Sequence, residues 1–225
     1  MKNVFIKALT LCLALFCLSP TANASDALFG AVMSYCHDKG CKSGAFFYHF
    51  EKNISRYCSG VSHINSRKVK SDRMEMIQRM VTDEGLPANI SLLTVVESGL
   101  DPDALSTAGA LGIWQFKADT GRDMGLTINE LVDERLDVEA STEAAIKYLF
   151  WLKKQFKGDL DLSIIAYNAG VGRVRTLIKE YGTSNPWLIA KGLLKGKEAE
   201  HYLARYYGYS IAMYAEGVCD ESSNL

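Results

Sequence analysis

The chain has 225 residues, 48% of them hydrophobic and 23% charged, with 25 Lys and Arg set against 26 Asp and Glu. These proportions belong to a globular chain able to bury a core, and the formal net charge of −1 argues against nucleic acid as the main partner. No long charge run, low-complexity tract or repeat of solenoid period is visible.

In chain order, the first segment has the form of an export signal. Lys2 and Lys7 make a basic start, residues 8–18 are a short apolar run, and Ala22, Asn23 and Ala24 form an A-x-A cleavage site. The apolar run is too short to span a bilayer. The expectation is cleavage after Ala24 and a periplasmic chain of 201 residues without a transmembrane segment. Losing Lys2 and Lys7 leaves 23 basic residues against 26 acidic ones, a net charge of −3. Leu15 and Phe16 before Cys17 match a lipoprotein box poorly, so a lipidated N-terminus is not expected.

Cleavage would leave four cysteines, Cys36, Cys41, Cys58 and Cys219. An even number in an oxidising compartment reads as two disulfides, with three possible pairings. Cys219 is far from the other three, so if all four pair, one bridge ties the C-terminus to the N-terminal segment. His37, His49 and His63 lie among these cysteines and raise a metal site as the rival. Their spacing fits no compact zinc signature, and neither metal nor cofactor is expected.

Residues 25–70 read as a small cysteine-bearing extension, with short helices at 27–35 and 46–57 and a polar, irregular stretch at 59–71. Residues 71–225 read as one helical domain. Ser71 is a candidate N-cap, Met74, Ile77 and Val81 mark an apolar stripe, and Gly85 suits the position after the helix. Leu86 and Pro87 redirect the chain into a second helix. Residues 99–116, rich in Gly, Asp, Pro, Ser and Ala, read as a loop. Asp137 caps a long helix carrying Val138, Ala145, Leu149, Leu152 and Phe156, and Gly158 with Asp159 breaks it. Further helices are expected over 160–169, 171–181 and 198–216. No segment alternates at period two, so the fold class is all-α.

The second helix holds the most informative residue. Ile90, Leu93 and Glu97 share one face at i, i+3 and i+7. A carboxylate on a core-facing stripe costs free energy unless paired or protonated, and burial raises its pKa toward the range useful to a general acid. The alternative is a Glu at the helix edge that reaches water.

Around Glu97 several short elements recur in order: Glu97-Ser98, Ser106, Gly112-Ile113-Trp114-Gln115, Ala166-Tyr167-Asn168-Ala169-Gly170, and Glu198-Ala199-Glu200-His201-Tyr202. This pattern resembles the lytic transglycosylases of the goose-type-lysozyme-like superfamily, most of all the membrane-bound transglycosylase D type, whose central motif also reads Gly-Ile-Trp-Gln. The resemblance covers about residues 71–216. It implies a lysozyme-like helical domain that cleaves the β-1,4 bond between N-acetylmuramic acid and N-acetylglucosamine in peptidoglycan glycan strands. No wall-binding repeat module is visible, unlike in many D-type relatives.

The resemblance makes Glu97 the catalytic acid and then base. The substrate's N-acetyl group assists departure, and the C6 hydroxyl attacks C1 to give a 1,6-anhydro end. Such a path needs no second carboxylate. Asp101 and Asp103 are the nearest candidates for one, as in a hydrolytic muramidase, although Asp101-Pro102-Asp103 also has the form of a turn. Ser106, Gln115, Tyr167 and Asn168 match sugar-contacting positions, and Gly109 and Gly112 would let the loop lie close under a sugar. For Ser106 and Gln115 the alternatives are a turn role and a backbone clamp. Trp114 is either a stacking platform for a pyranose or a core aromatic. The resemblance places Glu198 and Tyr202, an i, i+4 pair, along the saccharide groove. A solvated helix pair is their alternative, and His201 reads as a surface residue. Two rival functions remain: a muramidase on the same fold, and an inactive peptidoglycan-binding subunit. A wall-opening subunit of an envelope-spanning machine is a further setting for the same chain.

Overall fold

The computed structural model describes residues 44–192, 199–215 and 218–221, and among them the chain is helical with no extended strand. The expected signal segment, the helix at 27–35, Cys36, Cys41 and Glu198 lie outside the described residues. No helix among the described residues is long and apolar enough to cross a membrane.

Helix α1 (Gly44–Asn65) runs unbroken through much of the stretch expected to be irregular. Ser59, Ser62 and His63 made that stretch look polar, but they occupy one face only. Phe50, Ile54, Tyr57, Val61 and Ile64 form a buried stripe on the other. These residues belong to the same core as the rest of the chain. Helix α2 (Lys68–Asp83) starts earlier than expected. Its N-cap is Arg67, so Ser71 lies inside the first turns rather than capping them. Met74, Ile77 and Val81 are buried as the stripe requires, and Gly85 follows the helix at φ 78°.

Pro87 leads into a 3₁₀ turn (Ala88–Leu92) and then the short helix α3 (Leu93–Ser98). The expected single helix is thus two pieces. Ser91 Oγ donates to Ala88 O at 2.7 Å and Thr94 Oγ1 to Ser91 O at 2.6 Å, and such three-residue back-bonds suit the tighter winding. The loop from 99 folds back on itself through bridges pairing Leu105 with Leu111 and Leu111 with Phe116. A short helix α4 (Ala118–Asp123), absent from the sequence expectations, follows.

Helix α5 (Val138–Gln155) is capped as expected, with Asp137 accepting from Ala140 N at 2.8 Å. Helix α6 (Leu160–Ala169) is capped by Asp159, and α7 (Val171–Tyr181) follows Gly170. Helix α8 (Pro186–Gly192) was not foreseen. Helix α9 (Ala199–Tyr214) packs against α1, α3, α6, α8 and α10 (Val218–Glu221). Its residues 202–204, 206–208 and 210–212 are buried on nearly every side, the signature of a helix enclosed by others. A disulfide joins Cys58 of α1 to Cys219 of α10 across 161 residues. It agrees with the expected link between the C-terminus and the N-terminal segment.

Candidate active site

Glu97 sits one residue before the end of α3. Several contacts hold the turn that follows. Gly99 (φ 65°) and Leu100 (φ 66°) are consecutive left-handed residues, a costly conformation for leucine, held in place by burying the Leu100 side chain in the core. From α2, Lys70 Nζ donates to Gly99 O at 3.0 Å and Arg73 Nη1 to Leu100 O at 2.9 Å. The Ser98 hydroxyl lies within donating reach of Ile113 O at 2.9 Å and Thr94 O at 3.0 Å. It accepts from Asp101 N at 3.2 Å. Ser98 therefore couples the Glu97 helix to the loop at 104–116.

Across the molecule, Tyr202 of α9 donates its phenolic hydrogen to Glu97 Oε1 at 2.5 Å. Burial pushes the Glu97 carboxyl up to about 7, against the smaller opposing effects of the Tyr202 hydrogen bond and the Arg205 charge. Glu97 still keeps some solvent exposure. Tyr202 is 1% exposed. Its own titration is raised well above the ordinary phenol by burial and by the charge of Glu97. The expected role of Tyr202 as a residue lining an open groove is therefore corrected: with its ring enclosed and its hydroxyl engaged, it holds Glu97. Tyr202 is therefore not solvated, and Glu198, the other member of that expected pair, lies outside the described residues.

Trp114 is corrected as well. It is 0% exposed and presents no face to a sugar. Its indole Nε1 donates to Thr142 Oγ1 of α5 at 2.8 Å, and its carbonyl accepts from the Tyr167 hydroxyl at 2.9 Å. Tyr167 thus anchors the loop from the end of α6 rather than donating to Glu97. It is close enough for the Glu97 charge to act on its titration, after the larger effect of burial.

Gln115 is a backbone clamp: in the left-handed region at φ 52°, its Nε2 donates to Ala104 O at 2.8 Å and Gly112 O at 2.9 Å. Ser106 closes the same loop, its Oγ accepting from Ala110 N at 2.9 Å. Both remain partly exposed, and Asn168 is exposed at the end of α6. Asp101 Oδ1 accepts from Asp103 N at 3.0 Å, which is turn chemistry, and both residues face solvent. Gly112 is pressed against the Arg135 carbonyl, with no room for a Cβ, whereas Gly109 has open space around it. Close approach at Gly112 is therefore to this chain's own backbone.

Two contributors were missed in the sequence. Arg205, one turn beyond Tyr202, lies with its guanidinium carbon 5.9 Å from the Tyr202 ring centroid. Its i, i+3 spacing from Tyr202 was the available signal. Arg135 Nη1 donates to Gly109 O and Phe116 O, each at 3.2 Å, and its guanidinium is paired with Asp133 at 2.6 Å. It pins the loop from a second side, and no sequence signal marked it. Among the described residues no cluster of metal-ligating side chains occurs.

Residues 74–190 match the model of the transglycosylase SLT domain. Over 125 residues the chain is 40% identical to membrane-bound lytic murein transglycosylase D of Escherichia coli, covering 55% of this chain and 28% of that protein. Over 126 residues it is 32% identical to membrane-bound lytic murein transglycosylase F of Haemophilus influenzae, covering 51% and 25%. A solved structure of the lytic transglycosylase Slt from Pseudomonas aeruginosa aligns with a TM-score of 0.47 at 28% identity, over 60% of this chain and 22% of that one. The chain spans about a quarter of the length of these curated relatives.

Fold and site thus define a helical domain in which the largely enclosed Glu97 carboxyl is held by Tyr202 and raised by burial. The chain belongs to the transglycosylase SLT domain family.

Proposed function

We propose that this chain is a peptidoglycan lytic transglycosylase acting in the periplasm, with Glu97 as its acid and base. The observation that carries the reading is the Glu97 carboxyl, pushed up to about 7 and hydrogen-bonded to a buried tyrosine, within a chain of this family. At neutral pH a large fraction of Glu97 holds a proton. It delivers that proton to the glycosidic oxygen as the C1–O bond breaks, and the acetamido group of the muramoyl sugar supports the electron-poor C1. The Glu97 carboxylate then takes the proton of the C6 hydroxyl as that oxygen bonds to C1, closing the 1,6-anhydro ring. The intramolecular hydroxyl outcompetes water through proximity.

Among the described residues the groups acting on Glu97 are Tyr202 and Arg205, and none of these is a second carboxylate, which supports a one-carboxylate path over a two-carboxylate hydrolysis. Ser106, Gln115 and Asn168 are the side chains we assign to the sugar, each keeping some exposure beside the loop. Glu198 retains the groove role its match implies. The same chemistry would serve a wall-opening subunit of an envelope-spanning machine.

The test is mass spectrometry of muropeptides released from purified sacculi. Anhydro-ended products are expected. Products wholly reducible by borohydride would assign hydrolysis instead, and no release at all would leave a binding subunit.

A further inference from the structure

Helix α5 carries two adjacent stripes. Ala145, Leu149, Leu152 and Phe156 are buried and fill the core. Tyr148 and Trp151, at i and i+3, lie beside that stripe. Trp151 is 43% exposed and is not needed for the core, since Leu152 supplies that turn's core contact. Its ring is stacked on Tyr148 with centroids 5.8 Å apart and planes 14° from parallel. Tyr148 touches Tyr167 at 5.3 Å and Phe116 at 6.2 Å, and Phe116 touches Tyr167 at 6.3 Å. A continuous run of rings therefore leads from Tyr167, within electrostatic reach of Glu97, to an indole at the surface.

The neighbouring exposed ring, Phe150, has Lys153 Nζ at 5.6 Å from its centroid, whereas the stacked partner of Trp151 covers one face only. Ligand sites are lined mainly by apolar and aromatic side chains, and this exposed ring is joined by ring contacts to the neighbourhood of Glu97.

We propose that Trp151, backed by Tyr148, is a saccharide-stacking platform that extends the glycan-binding site along α5, away from Glu97. The inference rests on the proposed action on glycan strands. Its chemistry is the apolar C–H face of a pyranose laid on an indole whose other face is already supported, so little side-chain freedom is lost on binding. The open face of one backed indole suits a sugar, whereas a protein partner calls for a broad apolar patch.

The experiment uses glycan strands of graded length prepared from sacculi. Binding is measured by calorimetry on the full chain carrying Glu97→Gln, with and without Trp151→Ala or Trp151→Phe. Trp151→Ala should weaken binding of long strands about tenfold, Trp151→Phe by less, and both losses should shrink as the strand is shortened. In the otherwise unaltered enzyme, Trp151→Ala should raise KM for long strands by a similar factor, with kcat changed by less than about twofold. Glycan should also perturb the tryptophan fluorescence of the Glu97→Gln protein, and this response should be lost in Trp151→Phe. Equal weakening at every strand length, or none, would overturn the platform. A wild type that cleaves sacculi while Trp151→Ala matches it overturns the platform alone. A wild type that neither binds nor cleaves glycan overturns the proposed function along with it.

Discussion

The Tyr202 hydroxyl donates to Glu97 Oε1 at 2.5 Å across 105 residues of sequence, joining the short α3 helix to the largely buried helix α9. Tyr202 and Arg205 both favour the charged form of Glu97, while burial opposes it and dominates. Tyr202→Phe removes the hydrogen bond, and Arg205→Met removes the charge. Each should let the Glu97 pKa rise above its wild-type value of about 7, moving the alkaline limb of the rate profile to higher pH. Tyr202→Phe should also lower kcat by about tenfold, because the carboxyl loses its fixed orientation. Profiles of kcat/KM against pH check both, and an unmoved limb would remove these residues from the control of Glu97.

Glu97→Gln keeps the shape and loses the transferable proton, so cleavage should fall by about 10²–10⁴-fold. Stability should change in the opposite direction. The folded carboxyl titrates at about 7 against an ordinary 4.5, so the native state binds more protons than the unfolded state between those values. Wild-type stability contributed by this group is therefore full below pH 4.5 and lost as pH rises through 7. The variant escapes that loss, worth up to about 3 kcal/mol. The Tm difference, variant minus wild type, should grow more positive from pH 5 to pH 8. Asp161, pushed up to about 6 by burial, acts in the same sense but is common to both proteins and cancels.

Gly109 and Gly112 share a positive φ, 78° and 82°, but only Gly112 faces a backbone carbonyl at close quarters. Gly109→Ala should cost about 1 kcal/mol, the conformational term alone. Gly112→Ala adds displacement of Arg135 and should cost more than about 2 kcal/mol. It should also lower activity, because Arg135 and Gln115 hold the same loop. Equilibrium denaturation of the two variants gives the comparison, and equal costs would show that the Arg135 segment yields freely.

The Cys58–Cys219 bridge closes a loop of 161 residues, for which chain entropy gives a ceiling of about 4–5 kcal/mol. Cys58→Ser should lower Tm in a way that mild reductant reproduces in the wild type. Because α10 packs on α1 and α9, and α9 carries Tyr202, the variant should lose substrate affinity more than kcat. A Tm unchanged by reductant would show that the bridge contributes nothing to the folded state.

The helices of the chain were readable where one residue type faces one way. Asp137 before the stripe of α5, and Met74, Ile77 and Val81 in α2, carry local signals that no distant contact overrides. Helix α1 was misread beyond residue 58 because its polar face was visible in the sequence, whereas its buried face had no partner until α9 was placed beside it.

The same division runs through the site. Glu97 stood out because a carboxylate in an apolar run contradicts its surroundings, and a short-range contradiction is visible without a fold. The resemblance placed Tyr167 and Tyr202 beside the sugar and left Trp114 open between core and groove, because an aromatic ring with one polar atom suits either setting. Which it becomes depends on where that polar atom finds its partner. Thr142, the Trp114 carbonyl and Glu97 lie 28, 53 and 105 residues away. Sequence by itself determined the carboxyl and its family setting. The tertiary structure alone decided which tyrosine holds that carboxyl, because burial and hydrogen bonding between distant segments exist only once the helices have packed.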